Sequence, residues 1–156
     1  MEQKIEELVN QYSERLLRYA TSILYDYQEA EDIVQDVFMT AYQKMTSFDG
    51  DNISAWLYKI TYNKCLNRLK QRKILPFAEV PIPAVVTEKD TGLTDVTLKI
   101  LAQLKPQERA LLYGRIIEGY GYDELALQFG LSAATVRKRY ERARQKFAKI
   151  SQGGDF

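Results

Sequence analysis

The sequence predicts an all-α protein made of two small helical domains joined by an extended linker. Apolar residues recur at three- and four-residue steps over most of the chain, as they do along one face of a helix. No stretch alternates apolar and polar residues as a half-buried strand would. Three of the four prolines lie within 74–92, where the helical period is lost. The length of 156 residues allows one compact domain or two small ones.

The first domain, predicted over 1–74, contains three long helices. Residues 4–24 and 29–46 each carry an apolar stripe that repeats every three or four positions. The pattern breaks within 47–52 at an Asp-Gly pair, which favours a turn. Ser54 then stands where its hydroxyl can cap a third helix, which we expect to run to about residue 74.

The linker is predicted over 75–93. Each proline in it lacks a backbone donor and restricts the residue before it, so the segment favours an extended conformation. The alternative is a surface loop within one domain. On the two-domain interpretation, the second domain begins at residue 94 and continues to residue 156.

The second domain is predicted to hold four helices. Two of them cover 94–104 and 107–118, and a shorter one covers 122–129. Gly130 follows at the position where a helix ends in a left-handed residue. Ser132 is placed to cap the last helix, which the apolar spacing continues to about residue 150.

The composition argues against an enzyme. The chain has no histidine, which removes the commonest metal ligand and the commonest general base, so we expect no catalytic residue, metal or cofactor. A single cysteine, Cys65, excludes an internal disulfide and fits a reducing cytoplasm. The acidic, amphipathic N-terminus does not have the pattern of a signal peptide, and no apolar run is long enough to span a membrane.

Charge is unevenly distributed although the net charge is only +1. Residues 1–55 hold four basic and eleven acidic side chains, whereas 56–75 hold six basic and none that is acidic. Residues 106–150 hold nine basic and five acidic side chains. This distribution predicts two surfaces that face a polyanion and an acidic surface that faces another partner.

The last helix carries the clearest functional signal. One face of it is apolar, and the opposite face carries the charged residues Arg137, Lys138, Glu141 and Arg142. A short helix, a tight turn at Gly130 and a capped basic helix form a helix-turn-helix, whose second helix fits the DNA major groove. Arginines there can make bidentate contacts to guanine. The alternative is a solvated cationic face.

The third helix carries a second polar stripe. Lys59, Asn63, Asn67 and Lys70 follow one another at helical steps. Basic and amide side chains bordered by aromatic ones suit single-stranded nucleic acid, which needs neutralised phosphates and stacked bases. Trp56, which lies among apolar residues, is predicted to belong to the core.

Two long segments resemble a known family. The segment EAEDIVQDVFMTAYQKM, followed by SFDGDNISAWLYKITYNKCLNRLKQRK, resembles the second conserved region of bacterial sigma factors of the extracytoplasmic-function group. The segment LKPQERALLYGRIIEGYGYDELALQFGLSAATVRKRYERARQKF resembles the fourth conserved region of the same group. The two matches cover about 1–74 and 94–150 and follow the family's order.

The resemblance implies a subunit that binds core RNA polymerase and starts transcription at chosen promoters. The first domain would recognise and melt the minus-ten element, and the second would read the minus-thirty-five element as duplex. The family is usually held inactive by a cognate anti-sigma factor, which we expect as a further partner. The residues that match polymerase-binding positions are Asp32, Gln35, Asp36 and Phe38. The predicted DNA-binding residues are Phe48, Lys59, Asn63, Asn67, Lys70, Ser132, Thr135, Arg137, Lys138, Glu141 and Arg142.

Two departures from the family pattern and two alternative functions stay open. Tyr62 stands where the family commonly has arginine, and Asn67 stands where it often has aspartate. A helix-turn-helix activator that binds only duplex DNA would need a sensor domain, whereas 1–75 predicts three plain helices. A nuclease would need a carboxylate cluster with metal-ligand spacing. Its only candidates are Glu29, Glu31, Asp32 and Asp36.

Overall fold

The computed structural model describes residues 2–48, 50–74 and 86–153. These residues form helices without any strand, which confirms the all-α prediction. The helices are α1 (Glu2–Leu24), α2 (Tyr27–Lys44), α3 (Ile53–Ile74), α4 (Glu88–Thr91), α5 (Asp95–Leu101), α6 (Pro106–Leu112), α7 (Tyr122–Phe129) and α8 (Ala133–Gln152). A 3₁₀ turn (Met45–Ser47) follows α2, and a π-helical turn (Tyr113–Ile117) continues α6.

Helices α1, α2 and α3 pack around a shared apolar core in the first half of the chain. Asp26 caps α2 by accepting a hydrogen bond from the backbone N–H of Glu29 at 3.1 Å. The prediction that Ser54 caps α3 is wrong. Asn52 caps it instead, because its Oδ1 accepts from the backbone N–H of Ala55 at 2.9 Å.

The helix-turn-helix has the predicted boundaries. Gly130 ends α7 in the left-handed region, at φ 66°, and Ser132 caps α8 by accepting from the backbone N–H of Thr135 at 3.1 Å. On the inner face of α8, Val136 and Ala143 are fully buried. This burial fixes the orientation of α8 and turns its charged face outward.

Gly114 allows the π-helical turn after α6 to pack closely on α7. A Cβ atom at this position would lie 3.0 Å from Cδ2 of Leu125, which is closer than side chains normally approach. The absent side chain therefore lets the backbone of the turn lie directly against α7.

The linker prediction is wrong for part of the segment. Residues 75–85 lie outside the described residues. Within the remainder, α4 is helical rather than extended, because Thr87 and Asp90 form reciprocal hydrogen bonds that start the helix. Thr91 is buried, and α4 packs on α1. All three prolines fall within 75–85, so the described part of the predicted linker, 86–93, contains none of them.

The two halves of the chain pack against each other. Helix α3 lies on α7, and α1 lies on α6. One apolar cluster includes residues of both halves, with Tyr19 and Tyr58 from the first and Tyr113, Leu125 and Val136 from the second. The rings of Tyr58 and Tyr120 meet edge to face across the contact, at 5.3 Å between centroids.

One buried amide lacks partners among the described residues. Gln128 in α7 is only 2% exposed, and neither its Nε2 nor its Oε1 has a hydrogen bond there.

Since an unsatisfied buried polar group costs about 1–3 kcal/mol, we expect Gln128→Met to raise the free energy of unfolding by roughly that amount. Urea denaturation measures it. Gln145→Met, on the exposed surface of α8, is the control and should change the stability by less than about 0.5 kcal/mol. A destabilised Gln128→Met protein would mean that the amide is hydrogen-bonded.

Candidate nucleic-acid interface

Helix α8 presents a continuous charged face to solvent. Arg137, Lys138, Glu141 and Arg142 are all exposed, and they lie opposite the buried Val136. Lys146 is the exception among the neighbouring cations, because its Nζ lies 3.1 Å from Oε1 of Glu108 in α6. Among the described residues, Arg137, Lys138 and Arg142 have no such ion pair and are therefore available for a ligand.

Ser132 and Thr135 are also at the surface, but their hydroxyls are engaged with each other. Oγ of Ser132 and Oγ1 of Thr135 lie 2.8 Å apart, and Ser132 also accepts the backbone N–H of Thr135. Each hydroxyl retains a lone pair with which it can accept a hydrogen bond. Their first role is to start α8 at a defined residue.

The polar stripe of α3 is exposed as the sequence predicts. Lys59, Asn63, Asn67 and Lys70 all face solvent. Not every cation of the 56–75 block does so. Arg72 donates to the carboxylate of Glu29 and, at 3.2 Å, to the backbone carbonyl of Leu24. Arg72 therefore ties α3 to the end of α1 and the start of α2, and it is unavailable to a ligand.

Phe48 lies at the N-terminal end of this stripe and stacks on Trp56. Their ring centroids are 4.7 Å apart, and the ring planes differ by 27°. Trp56 is half-buried and packs against the core, in agreement with its predicted place there. A Cβ on Gly50 would come within 3.1 Å of the Phe48 ring, so the glycine allows the chain to pass over it. The aromatic pair thus offers a stacking surface close to the start of α3.

The acidic surface of α2 has a polar and an apolar part. Asp32, Gln35 and Asp36 are exposed, whereas Phe38 is only 8% exposed and lies in the wall of a groove. This groove runs between α1 and α2 and has a volume of about 540 Å³. Met39, which is 61% exposed, lies on its rim. The groove lining is apolar and neutral. Asp32 and Asp36 stand three positions before and one position after Gln35 of that lining, and we call this pair of exposed carboxylates the acidic edge.

Comparison with known proteins assigns the chain to a family. Residues 8–74 match the family sigma-70 region 2, and residues 95–147 match the family sigma-70, region 4. The ECF RNA polymerase sigma factor SigM of Mycobacterium tuberculosis is 27% identical, in an alignment that covers 93% of this chain and 76% of that protein. The RNA polymerase sigma-H factor of Pseudomonas aeruginosa is 29% identical, in an alignment that covers 93% of this chain and 84% of that protein.

The chain belongs to the extracytoplasmic-function group of sigma factors.

Solved structures agree with this assignment. The sigma factor RpoE from Bartonella quintana, solved in complex with the anti-sigma factor NepR, superposes with a TM-score of 0.80 at 26% identity over 100% of both chains. CnrH, solved in complex with the cytosolic domain of CnrY, has the same fold, with a TM-score of 0.72 at 23% identity. As an alternative sigma factor, this protein directs transcription initiation with RNA polymerase.

The other functions considered from the sequence are not favoured for this sigma factor. No group of three or more acidic, cysteine or histidine side chains that could hold a metal occurs among residues 2–48, 50–74 and 86–153. Glu29, one of the four carboxylates that a nuclease would need, is paired with Arg72. In the same part of the chain, no helix has the length and apolar character required to cross a bilayer.

Two tyrosines of α3, Tyr58 and Tyr62, lie at the contact between the two halves. Both are buried where α3 meets the second half of the sigma factor, and the ring centroid of Tyr62 lies 4.2 Å from that of Phe129. Burial raises the pKa of Tyr62 to about 12, an effect that the nearby Arg139 opposes. No local pattern could have predicted the contact between Tyr62 and Phe129, since the two residues are more than sixty positions apart.

Proposed function

We propose that the two halves of this sigma factor divide promoter recognition between them. The first half, residues 1–74, binds core RNA polymerase and captures an unpaired base of the minus-ten element. The second half, residues 94–156, reads the minus-thirty-five element as duplex through α8. Residues 75–93 connect the two activities.

One observation supports this proposal: the chain has two exposed basic surfaces, the charged face of α8 and the polar stripe of α3, and they differ in chemistry. The charged face of α8 suits the major groove, since arginine and lysine can pair with guanine edges and with phosphates. The α3 stripe joins lysines and amides to the Phe48–Trp56 stack, which suits unpaired bases and their backbone. A protein that binds only duplex DNA has no need of the second surface.

We infer that the α1–α2 groove and its acidic edge bind core polymerase through Asp32, Gln35, Asp36 and Phe38. Exposed carboxylates beside an apolar floor suit a partner that offers apolar side chains with basic ones around them. We also propose a cognate anti-sigma factor as a partner, because RpoE was solved in complex with the anti-sigma factor NepR. Since polymerase supplies the chemistry, we infer that the chain has no catalytic activity of its own and acts in the cytoplasm.

Replacing Asn63 by alanine tests the capture of an unpaired base. Extruding a base from the duplex costs a few kcal/mol, so contacts to the extruded base must provide a comparable free energy. A side-chain amide can make such contacts. Asn63 can donate to and accept from a base edge at the same time. If Asn63 makes both hydrogen bonds to a base, the alanine variant should lose about 1–3 kcal/mol of open-complex stability. This corresponds to roughly 5- to 150-fold less open complex. Permanganate reactivity of promoter thymines measures the melting.

The control for this experiment is Gln103→Ala, which removes an exposed amide at the C-terminal end of α5. It should leave melting unchanged. Both variants should still bind core polymerase, because neither changes the α1–α2 groove or its acidic edge. Normal promoter melting by Asn63→Ala would contradict the proposed role of this residue, whereas a wild-type chain that bound no polymerase would contradict the proposed function itself.

A further inference from the structure

The charged face of α8 has a centre and two flanks, and its acid lies near the centre. Val136 and Ala143 are fully buried and therefore define the inner side of the helix. At about 100° per residue, Glu141 lies roughly 140° from Val136 and 160° from Ala143, almost opposite the core. Arg137 lies about 100° from Val136 on one side, and Arg142 lies about 100° from Ala143 on the other.

This arrangement matters when the helix enters the major groove of a duplex. The centre of the exposed face then turns toward the base edges, and the flanks turn toward the phosphates of the two strands. Glu141 is the ninth residue of α8 and so belongs to its first half, the part that enters the groove in a helix-turn-helix. Ala134 is exposed in the first turn, and its small side chain allows a close approach to the bases.

The carboxylate of Glu141 is exposed and is not neutralised within the protein. Arg137 and Lys138 stand four and three positions before it, at spacings that permit ion pairs along a helix. Among the residues that the structure describes, neither forms such a pair with Glu141. Duplex DNA carries one negative charge per about 1.7 Å of its axis, so a free carboxylate in the groove opposes binding unless it meets a donor.

The chemistry of the base edges limits which donor this can be. An ionised carboxylate only accepts hydrogen bonds. In the major groove, guanine and thymine present acceptors, whereas cytosine and adenine present exocyclic amino groups. Adenine places its N7 acceptor beside that amino group, where it would repel a carboxylate. Cytosine N4 has no acceptor of its own base beside it and is therefore the favoured partner.

We propose that Glu141 is a specificity-determining residue that accepts a hydrogen bond from the N4 amino group of one cytosine in the minus-thirty-five element. The inference rests on the proposed reading of this element by α8. Selection by Glu141 has an attractive and a repulsive part. Cytosine satisfies the carboxylate, while guanine or thymine at the same position would leave it desolvated and facing another acceptor.

Substitutions of Glu141 in the full chain, bound to core polymerase, test this proposal on a promoter library with a randomised minus-thirty-five element. We expect the wild-type holoenzyme to prefer cytosine over guanine or thymine at one position by roughly fivefold or more. Glu141→Ala should remove this preference at that position and leave the others unchanged. Glu141→Gln should shift it toward adenine, because an amide can donate to N7 and accept from N6 at once.

Glu88→Ala is the matched control, since it removes an exposed carboxylate from α4 and should leave the whole preference profile unchanged. A change in affinity that is equal for all sequences, or no change at all, in Glu141→Ala would overturn the inference, because the carboxylate would then read no base. A preference for another base at the affected position would overturn it as well. If the wild-type holoenzyme had no preference anywhere in the element, the proposed function itself would be contradicted.

Discussion

Replacing Arg109 by leucine is expected to destabilise the free protein by about 3–5 kcal/mol. The guanidinium satisfies the carbonyls of Ser22, Ile23 and Leu104, none of which leucine can reach with a donor. An unsatisfied buried carbonyl costs roughly 1–3 kcal/mol, and small domains are stable by only about 5–15 kcal/mol. Urea denaturation followed by circular dichroism measures the loss.

Two further variants sharpen this experiment. Arg109→Lys keeps the positive charge but replaces the planar group with a single ammonium, so it should recover only part of the stability. Arg144→Leu removes an arginine of the same size from an exposed position on α8 and should cost less than about 0.5 kcal/mol. If Arg109→Leu were as stable as Arg144→Leu, water or a local rearrangement would have to satisfy the α1 carbonyls.

The charge state of Arg109 does not complicate these comparisons. Burial lowers the pKa of its guanidinium to about 10, and this remains well above neutral pH. The side chain is therefore charged under ordinary assay conditions and keeps all its donors. Any effect of the leucine variant near pH 7 reports the loss of those donors rather than a change in protonation.

Local patterns predicted the helices and the helix-turn-helix because their causes lie within a few residues. The left-handed Gly130 and the cap at Ser132 have the roles assigned from the sequence. The prediction about Ser54 is wrong for an equally local reason. Asn52, two positions before Ser54, caps the same helix. The hydroxyl of Ser54 is hydrogen-bonded to that of Tyr120. Choosing between adjacent capping residues requires knowledge of the partner across the contact.

The contact between the halves could not be predicted from such patterns. Arg109 and Glu118 look like ordinary charged residues on predicted helices, yet both are buried by segments some sixty to a hundred positions away. The burial of Tyr58 and Tyr62 could not be predicted for the same reason. A hydrophobic period indicates which face of a helix is covered but not which element covers it. The resemblance to a family indicated two regions, and neither region by itself contains the contact between them.

The site residues differ in how far the sequence could determine them. Exposure of the α3 stripe and of the charged face of α8 followed directly from the helical period. The sequence could not show that Arg72 is paired within the protein and so does not belong to the exposed basic surface. Its partner Glu29 lies on another helix. The stack of Phe48 on Trp56 was also beyond the local pattern, since it forms across the turn that precedes α3. Which bases these residues contact stays a prediction.

Truncating Arg137 or Arg142 to alanine is expected to weaken binding to a duplex that carries the minus-thirty-five element. The size of the loss in affinity, and whether it depends on the DNA sequence, distinguish an arginine that contacts guanine from one that contacts phosphate. An arginine bidentate to guanine is worth about 1–3 kcal/mol of discrimination, so its loss should relax specificity at one base pair. An arginine on phosphate should weaken binding to all sequences and lower the slope of log affinity against log salt by about one.

These outcomes can be measured by titrating a duplex library with each variant at several salt concentrations. Lys149→Ala is a suitable control, because this lysine is exposed in the last turn of the same helix, far from its N-terminal face. It should reduce the affinity less than either arginine variant does. The two arginines lie one and a half turns apart on an exposed face, so one can read a base while the other contacts phosphate. If both alanine variants bound every duplex as tightly as the wild-type chain at low salt, α8 would not enter the groove.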